Sequence, residues 1–218
     1  MNGLQVTQSI TVGTVPTHWV IAGASDFNND GKADILWRDS STGTVAIWLM
    51  DGGTVTQIGT VATVPLSWSI IGITRNAGIW WRNSSGALKL WVMYHGFTVG
   101  NSFSFGTVPT VWNLVGIGDF NGDSNVDLLW RHSTTGALAM WLLNAFIGVI
   151  SSTSLGTVSN SWSVDLTGDF DGNGNADILW ANTSGARAIW FMNGATVAST
   201  ASLGTIPTVW AVQSNSAE

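Results

Sequence analysis

The chain has 218 residues, a formal net charge of −6 and a sequence pI of about 4.7, and only 9% of its residues are charged. Its seven lysine and arginine residues are scattered along the chain, which argues against binding to nucleic acid or to an anionic membrane surface. The absence of cysteine excludes disulfides, thiolate catalysis and cysteine-based zinc sites.

Hydrophobic residues make up 45% of the chain and the mean hydropathy is +0.26, which is high for a protein without a membrane segment. The most apolar stretch, Ala137 to Ile150, is too short for a membrane-spanning helix and is interrupted by Asn144. This composition favours sheets that are covered on both faces, as in a β-propeller.

Thirteen of the 14 tryptophans fall into three repeating series. The first series follows a GTVP-like heptad and recurs every 44–50 residues, as Trp19, Trp68, Trp112, Trp162 and Trp210. The second series comprises Trp37, Trp81, Trp130 and Trp180, and the third comprises Trp48, Trp91, Trp141 and Trp190. Self-similarity at this period indicates a repeat architecture.

Each repeat predicts four short strands, with turn signals such as SSTG and MDGG between them. The predicted fold is therefore all-β, a propeller of four-stranded antiparallel blades with about four complete repeats of 44–50 residues. The predicted boundaries are 13–61, 62–105, 106–155 and 156–203 for the blades, 1–12 for a partial outer strand and 204–218 for a partial first strand. Unmatched terminal strands predict a fragment of a longer array or a homo-oligomer that completes the ring.

An aspartate-rich nonapeptide lies between the first two predicted strands in repeats one, three and four, as DFNNDGKAD, DFNGDSNVD and DFDGNGNAD. These loops contain nine of the chain's 12 aspartates, and such clustering of like charge is unfavourable unless a cation lies between them. Oxygen-bearing side chains stand at loop positions 1, 3, 5 and 9: Asp26, Asn28, Asp30, Asp34; Asp119, Asn121, Asp123, Asp127; Asp169, Asp171, Asn173, Asp177.

Alternating oxygen donors in a tight loop suit Ca²⁺, which prefers six to eight oxygen ligands. Position 7 is expected to add a backbone carbonyl from Lys32, Asn125 or Asn175. The alternative is an Asx turn, in which Asp and Asn bond their own backbone. Repeat two has a shorter segment without a carboxylate, so the sequence predicts about three Ca²⁺ ions and none in repeat two.

The GDF or SDF start, the aspartate loop and the following ILW strand resemble FG-GAP and VCBS repeats, the blades of integrin-α-like propellers and of the Psathyrella velutina lectin type. The resemblance covers nearly the whole chain and implies a mainly structural Ca²⁺ between the first two strands of a blade. The chain departs from the family pattern at Ser124, where glycine is usual, in repeat two, and in having fewer units than a seven-bladed ring.

Tryptophan rings can stack on sugars, although tryptophans in a constant register more often pack between blades. Trp80 lies outside the three series, and Trp68, Trp112, Trp162 and Trp210 follow predicted turns, which makes them candidate ligand contacts. Arg38, Arg82 and Arg131 each follow a tryptophan of the second series and either bind a sugar or carboxylate or stack on a neighbouring tryptophan.

The three histidines fall at different repeat positions and no hydrolase motif occurs, so the expected function is non-catalytic. The leading hypothesis is a secreted, calcium-binding module that recognises carbohydrate through pockets between blades. The alternative is a propeller that binds another protein, or a structural spacer of a larger secreted protein.

Overall fold

The computed structural model describes residues 9–145 and 148–210, which contain sixteen strands in four sheets. Each sheet is four-stranded and antiparallel, and its strands lie side by side in chain order. No helix is found in this part of the chain. The predicted class, all-β with four-stranded antiparallel propeller blades, is therefore confirmed.

The strand bounds show how closely the four blades repeat one another. Blade one comprises β1 (Trp19–Ser25), β2 (Asp34–Asp39), β3 (Thr44–Asp51) and β4 (Thr54–Thr63), and blade two comprises β5 (Trp68–Thr74), β6 (Gly78–Asn83), β7 (Ala87–Tyr94) and β8 (Thr98–Thr107). Blade three comprises β9 (Trp112–Gly118), β10 (Asp127–His132), β11 (Ala137–Leu143) and β12 (Val149–Thr157), and blade four comprises β13 (Trp162–Gly168), β14 (Asp177–Asn182), β15 (Ala186–Asn193) and β16 (Thr196–Thr205).

The predicted terminal strands fall mostly on residues 1–8 and 211–218, which lie outside the described residues. Residues 9–12 and 206–210 are described and are not in a strand, whereas 204 and 205 end β16. The described residues contain no helix long and apolar enough to cross a membrane.

The blades form two compact units, each with its own core. One unit holds blade one and most of blade two, and the other holds blades three and four with the end of β8. Within the first unit β1 lies next to β5, and within the second β9 lies next to β13. First strands of consecutive blades are therefore neighbours.

The second strand of each blade is buried on both faces, because successive side chains point to opposite sides and both sides are covered. Its tryptophan packs on the third-strand tryptophan of the same blade, with ring centroids 5.0–5.4 Å apart in all four blades. Two of the three tryptophan series thus form the repeated core, as packing between sheets requires.

Candidate functional site

The aspartate at loop position 9 is a hydrogen-bond acceptor buried at the start of the second strand. Asp177, which is fully buried, accepts hydrogen bonds from the backbone N–H groups of Phe170 and Met192, both at 2.9 Å. Asp34 and Asp127 are equally buried and accept the equivalent pairs of bonds at 2.8–2.9 Å. This carboxylate therefore joins the start of its loop to the end of the third strand.

The aspartate at position 1 organises the tip of the loop. Both oxygens of Asp26 accept backbone N–H groups, from Asp30 at 3.0 Å and from Gly31 at 2.7 Å. Asp119 repeats this with Asp123 and Ser124. These bonds form an Asx-type turn, so the Asx turn and a cation site are compatible: each carboxylate oxygen has a second lone pair.

Two residues of each loop have a left-handed backbone. Position 4 has φ of +61° to +77° and position 6 has φ of +66° to +88°. Glycine adopts this conformation without strain and occupies position 6 in two loops, as Gly31 and Gly174, whereas the third loop has Ser124 at φ +66°. Ser124, which departs from the family pattern, is therefore a strained residue in a loop whose left-handed positions are the same as in the other two.

Replacing Ser124 with glycine is expected to raise the free energy of unfolding by about 1 kcal/mol, because the left-handed backbone is unfavourable for a residue with a Cβ. Chemical denaturation measures the change. The control is Ser133→Gly, at an exposed turn residue without a left-handed backbone, which is expected to lower stability. A Ser124→Gly variant no more stable than the parent protein would contradict the prediction.

In blade four the carboxylates of Asp169, Asp171 and Asp177 converge, with ligand oxygens within 4.8 Å of one another. Asp169 and Asp171 are exposed, while Asp177 is buried behind them. In blades one and three an asparagine, Asn28 or Asn121, replaces the aspartate at position 3 and offers an amide oxygen. An acidic cluster able to hold a metal ion is thus present in blade four, in a loop whose geometry recurs in two other blades.

Several carboxyl groups of the loops have shifted pKa values, and the direction of the shift depends on the position in the loop. Burial, together with the smaller contribution of the nearby charges of Asp123 and Asp119, raises the pKa of the Asp127 carboxyl to about 6. Burial likewise raises the pKa of Asp34. In contrast, backbone N–H groups, that of Gly174 foremost, lower the pKa of Asp169. A buried carboxylate beside ionised ones is a position that a cation would stabilise.

Blade two replaces the loop with a short turn between Thr74 and Gly78. Gly78 stands at the register position of the buried aspartates, and a Cβ there would collide with the Thr74 hydroxyl oxygen. The third strand is still tied down, because the N–H of Met93 donates to the carbonyl of Ala77 at 3.1 Å. A backbone carbonyl therefore takes over one of the two bonds made elsewhere by the aspartate.

The loops of blades one and three are also each bonded to the blade that follows in the same unit. The Phe27 carbonyl accepts a bond from Gly96 N at 2.9 Å, and the Phe120 carbonyl accepts one from Gly194 N at 2.7 Å. In both cases the donor is a hairpin residue between the third and fourth strands of the next blade. Order in a loop thus contributes to packing between blades.

Arg38 and Arg131, two of the predicted ligand contacts, are engaged inside the protein. Arg38 is 9% exposed, and its Nη2 donates to the carbonyls of Val64, Pro65 and Trp68 at 2.9–3.2 Å. Its guanidinium carbon lies 4.9 Å from the ring centroid of Trp81.

Arg131 is 7% exposed and makes the equivalent contacts in the second unit. It donates to the carbonyls of Val158, Ser159 and Trp162 and lies 5.5 Å from the ring of Trp180. Burial lowers the pKa of both guanidinium groups. These arginines join consecutive blades. Each guanidinium group lies over a tryptophan ring, which is the stacking arrangement given above as the alternative to ligand binding.

Blade four has Ala181 where the other blades have this arginine. Arg187, the cross-strand partner of Ala181, lies nearby on β15, and its Nε is 3.4 Å from a carboxylate oxygen of Asp165. Both side chains are largely buried, with exposed fractions of 10% and 18%. An ion pair within the blade thus stands beside the position of the missing arginine.

The remaining predicted ligand contacts differ in exposure. Trp80 is fully buried, which leaves no ring face to stack on a sugar, and Arg82 is partly buried. The first-series tryptophans Trp68, Trp112 and Trp162 are partly exposed, and Trp210 is 68% exposed.

A cleft, here called the Trp68 cleft, lies in the first unit between the link 62–65 and the sheet of blade two. It has a volume of about 190 Å³, and its wall on the sheet side consists of Trp68, Trp81, Lys89 and Trp91. Lys89 was not predicted as a site residue. Its signal in the sequence is that it stands where the other three blades have alanine.

Four repeated four-stranded antiparallel sheets, three of them with an acidic loop between the first and second strands, place the chain among the β-propellers. Residues 119–180 match the family model of the FG-GAP-like repeat, and together with the four blades this match supports an FG-GAP repeat propeller. Such a propeller supports a role in protein interaction or as a structural element.

The chain is also similar to a solved structure, the crystal structure of Raptor from Chaetomium thermophilum, with 11% sequence identity and a TM-score of 0.48. The similarity covers 89% of this chain, which spans 17% of that protein. No curated protein matches the sequence.

Proposed function

We propose that this chain is a non-catalytic, calcium-binding and carbohydrate-binding propeller module of a secreted protein. The observation that carries the carbohydrate function is the Trp68 cleft, where partly exposed indole rings of Trp68 and Trp91 border a space of about 190 Å³. Indole rings stack on the C–H faces of sugars, and a cleft below the usual size of drug sites suits a single sugar ring.

The donor set of the three loops fits Ca²⁺, because it is made of carboxylate and amide oxygens, the ligands that this hard cation prefers. The ligands of the ion would be the side chains at positions 1, 3, 5 and 9 of each loop and the backbone carbonyl at position 7. In blade four the carboxylates of Asp169, Asp171 and Asp177 already lie close together. The bound ion would supply positive charge that offsets the clustered carboxylates and would fix the loop between the first two strands.

Calcium binding is tested by isothermal titration calorimetry of protein first stripped with a chelator. We expect about three ions per chain, with Kd values of about 10⁻⁴–10⁻³ M, the range of extracellular modules. The usual occurrence of FG-GAP repeats in extracellular proteins supports secretion, and affinities in this range would agree with it. An absence of heat and of thermal stabilisation would overturn the calcium proposal, and sub-micromolar Kd values would argue for an intracellular role.

Carbohydrate binding is tested on a glycan array with the calcium-loaded protein, and a Trp68→Ala, Trp91→Ala variant serves as the control. We expect binding to a restricted set of glycans that the variant loses. A parent protein that binds no glycan would favour the alternative function, a propeller for protein interaction or structure.

The non-catalytic part of the proposal rests on the arrangement of the acidic groups. The three buried aspartates use both carboxylate oxygens to accept backbone hydrogen bonds, which leaves them poorly placed as proton donors or nucleophiles. A screen for hydrolysis of polysaccharides is expected to show no turnover, and release of reducing ends by the parent protein would overturn this part.

A further inference from the structure

We propose that the Trp68 cleft selects a sugar that carries a carboxylate, a uronic acid residue, and that Lys89 is the residue that recognises the carboxylate. This inference rests on the proposed carbohydrate function and specifies its ligand. Lys89 has Trp81 as its cross-strand partner and Trp91 as its neighbour on the same face of the strand.

The equivalent residues of the other blades are Ala46, Ala139 and Ala188, each facing the second-series tryptophan of its own blade. The four blades therefore repeat the aromatic pair, and only blade two has a cation at this position of the third strand. A lysine in place of alanine at this position is not required for packing, since three blades pack without it.

The ammonium group of Lys89 is available for a ligand. Its Nζ lies 5.1 Å from the ring centroid of Trp68, and none of the three ion pairs found in the described residues includes it. A carboxylate placed beside Trp68 would convert this cation–π contact into a charge-assisted hydrogen bond.

The remaining wall fits the ring of the sugar. Trp68 and Trp91 are partly exposed, while the buried Trp81 ring contacts both the Arg38 guanidinium and the Trp91 ring. The link 62–65, which forms the opposite wall, is fixed by the bonds from Arg38 to the carbonyls of Val64 and Pro65. The cleft is therefore built on a rigid support, which lowers the entropy lost on binding.

The overall charge of the chain connects this cleft with the loops. A net charge of −6 repels an anionic sugar, but three divalent ions would offset it. Calcium is thus expected to strengthen binding of an acidic sugar without contacting it.

The test is an NMR titration of the calcium-loaded parent protein with methyl β-glucuronide and with methyl β-glucoside, which differ only in the carboxylate. Indole N–H signals of Trp68 and Trp91, assigned through Trp68→Phe and Trp91→Phe, report binding. We expect the glucuronide to bind about tenfold more tightly, in keeping with a charge-assisted bond, and to weaken as salt is added.

Lys89→Ala is the matched variant, because alanine is the residue at this position in the other blades. It is expected to keep the fold, as judged by near-UV circular dichroism, and to bind the two sugars equally. Equal affinity for both sugars in the parent protein, or an unchanged preference in Lys89→Ala, would overturn the inference while carbohydrate binding stands. Binding of another glycan on the array that the glucuronide does not displace would also overturn it, whereas binding of no glycan removes the proposed function itself.

Discussion

Replacing Asp177 with alanine is expected to lower the free energy of unfolding by about 3 kcal/mol even in the absence of calcium, because two buried backbone N–H groups lose their acceptor. The donors belong to Phe170, at the start of the loop, and to Met192, near the end of the third strand. Urea denaturation in the presence of a chelator measures the loss.

Asp171→Ala is the control from the same loop. Asp171 is exposed, and its hydrogen bonds are confined to Asn173 at the loop tip, so its loss is expected to change the stability of the metal-free protein by less than about 0.5 kcal/mol. Calcium at a hundredfold excess over Kd is expected to stabilise the parent protein by about 2.7 kcal/mol through each site, and both variants lose the contribution of this loop. Equal stabilities of the two variants without calcium would show that the buried aspartate has no structural role of its own.

Replacing Arg131 with methionine is expected to lower the free energy of unfolding by about 3 kcal/mol. The substitution removes three hydrogen bonds to backbone carbonyls of the next blade and the contact with Trp180, and it leaves those carbonyls without a charged donor. Guanidinium chloride denaturation is the measurement, with unfolding followed by tryptophan fluorescence, since Trp180 and its partner lie at the affected contact.

Arg75→Met provides the matched control, because it removes the same charge at an exposed turn of blade two. Its effect is expected to remain within about 0.5 kcal/mol. If both arginine variants were equally stable, the interaction of Arg131 with the next blade would contribute nothing to the folded state. Arg131→Lys is expected to recover part of the loss, since an ammonium group can donate to the carbonyls but lacks the planar group that covers Trp180.

The fold was predictable because the tryptophans occupy a fixed register. Trp37 and Trp48 lie on adjacent strands of blade one and pack together, and their counterparts do the same in the other three blades. The period visible in the sequence therefore corresponds to a contact in the core. The aspartate loops were predictable for the same reason: a repeated spacing of oxygen donors reflects a repeated backbone path.

The structural role of the buried aspartates was not predicted. The sequence treats Asp34 as the last of four equivalent oxygen donors, whereas in the structure it alone is buried, and it is bonded to the start of the loop and to the third strand. Its position directly before the buried ILW strand was a usable signal, since a carboxylate there must find donors. The partners could not be inferred, because Met50 is distant in sequence and is brought close only by the register of β2 and β3.

The roles of the arginines and of Lys89 depend on contacts between blades, which local spacing does not encode. Arg38 donates to residues more than twenty positions away, in the link to the next blade. Lys89 is inconspicuous in a chain read from end to end. It becomes informative only when the strands are aligned and its three counterparts prove to be alanines.

The turn of blade two bears on how such repeats diversify. Because the carbonyl of Ala77 holds the third strand through Met93, a deletion can remove an acidic loop and keep one of the strand-to-strand bonds that the loop provided. The acidic loop is therefore a feature that one blade can lack while it keeps the four strands of the others. A blade released from it is free to change its surface, and in this chain the released blade is the one that carries Lys89.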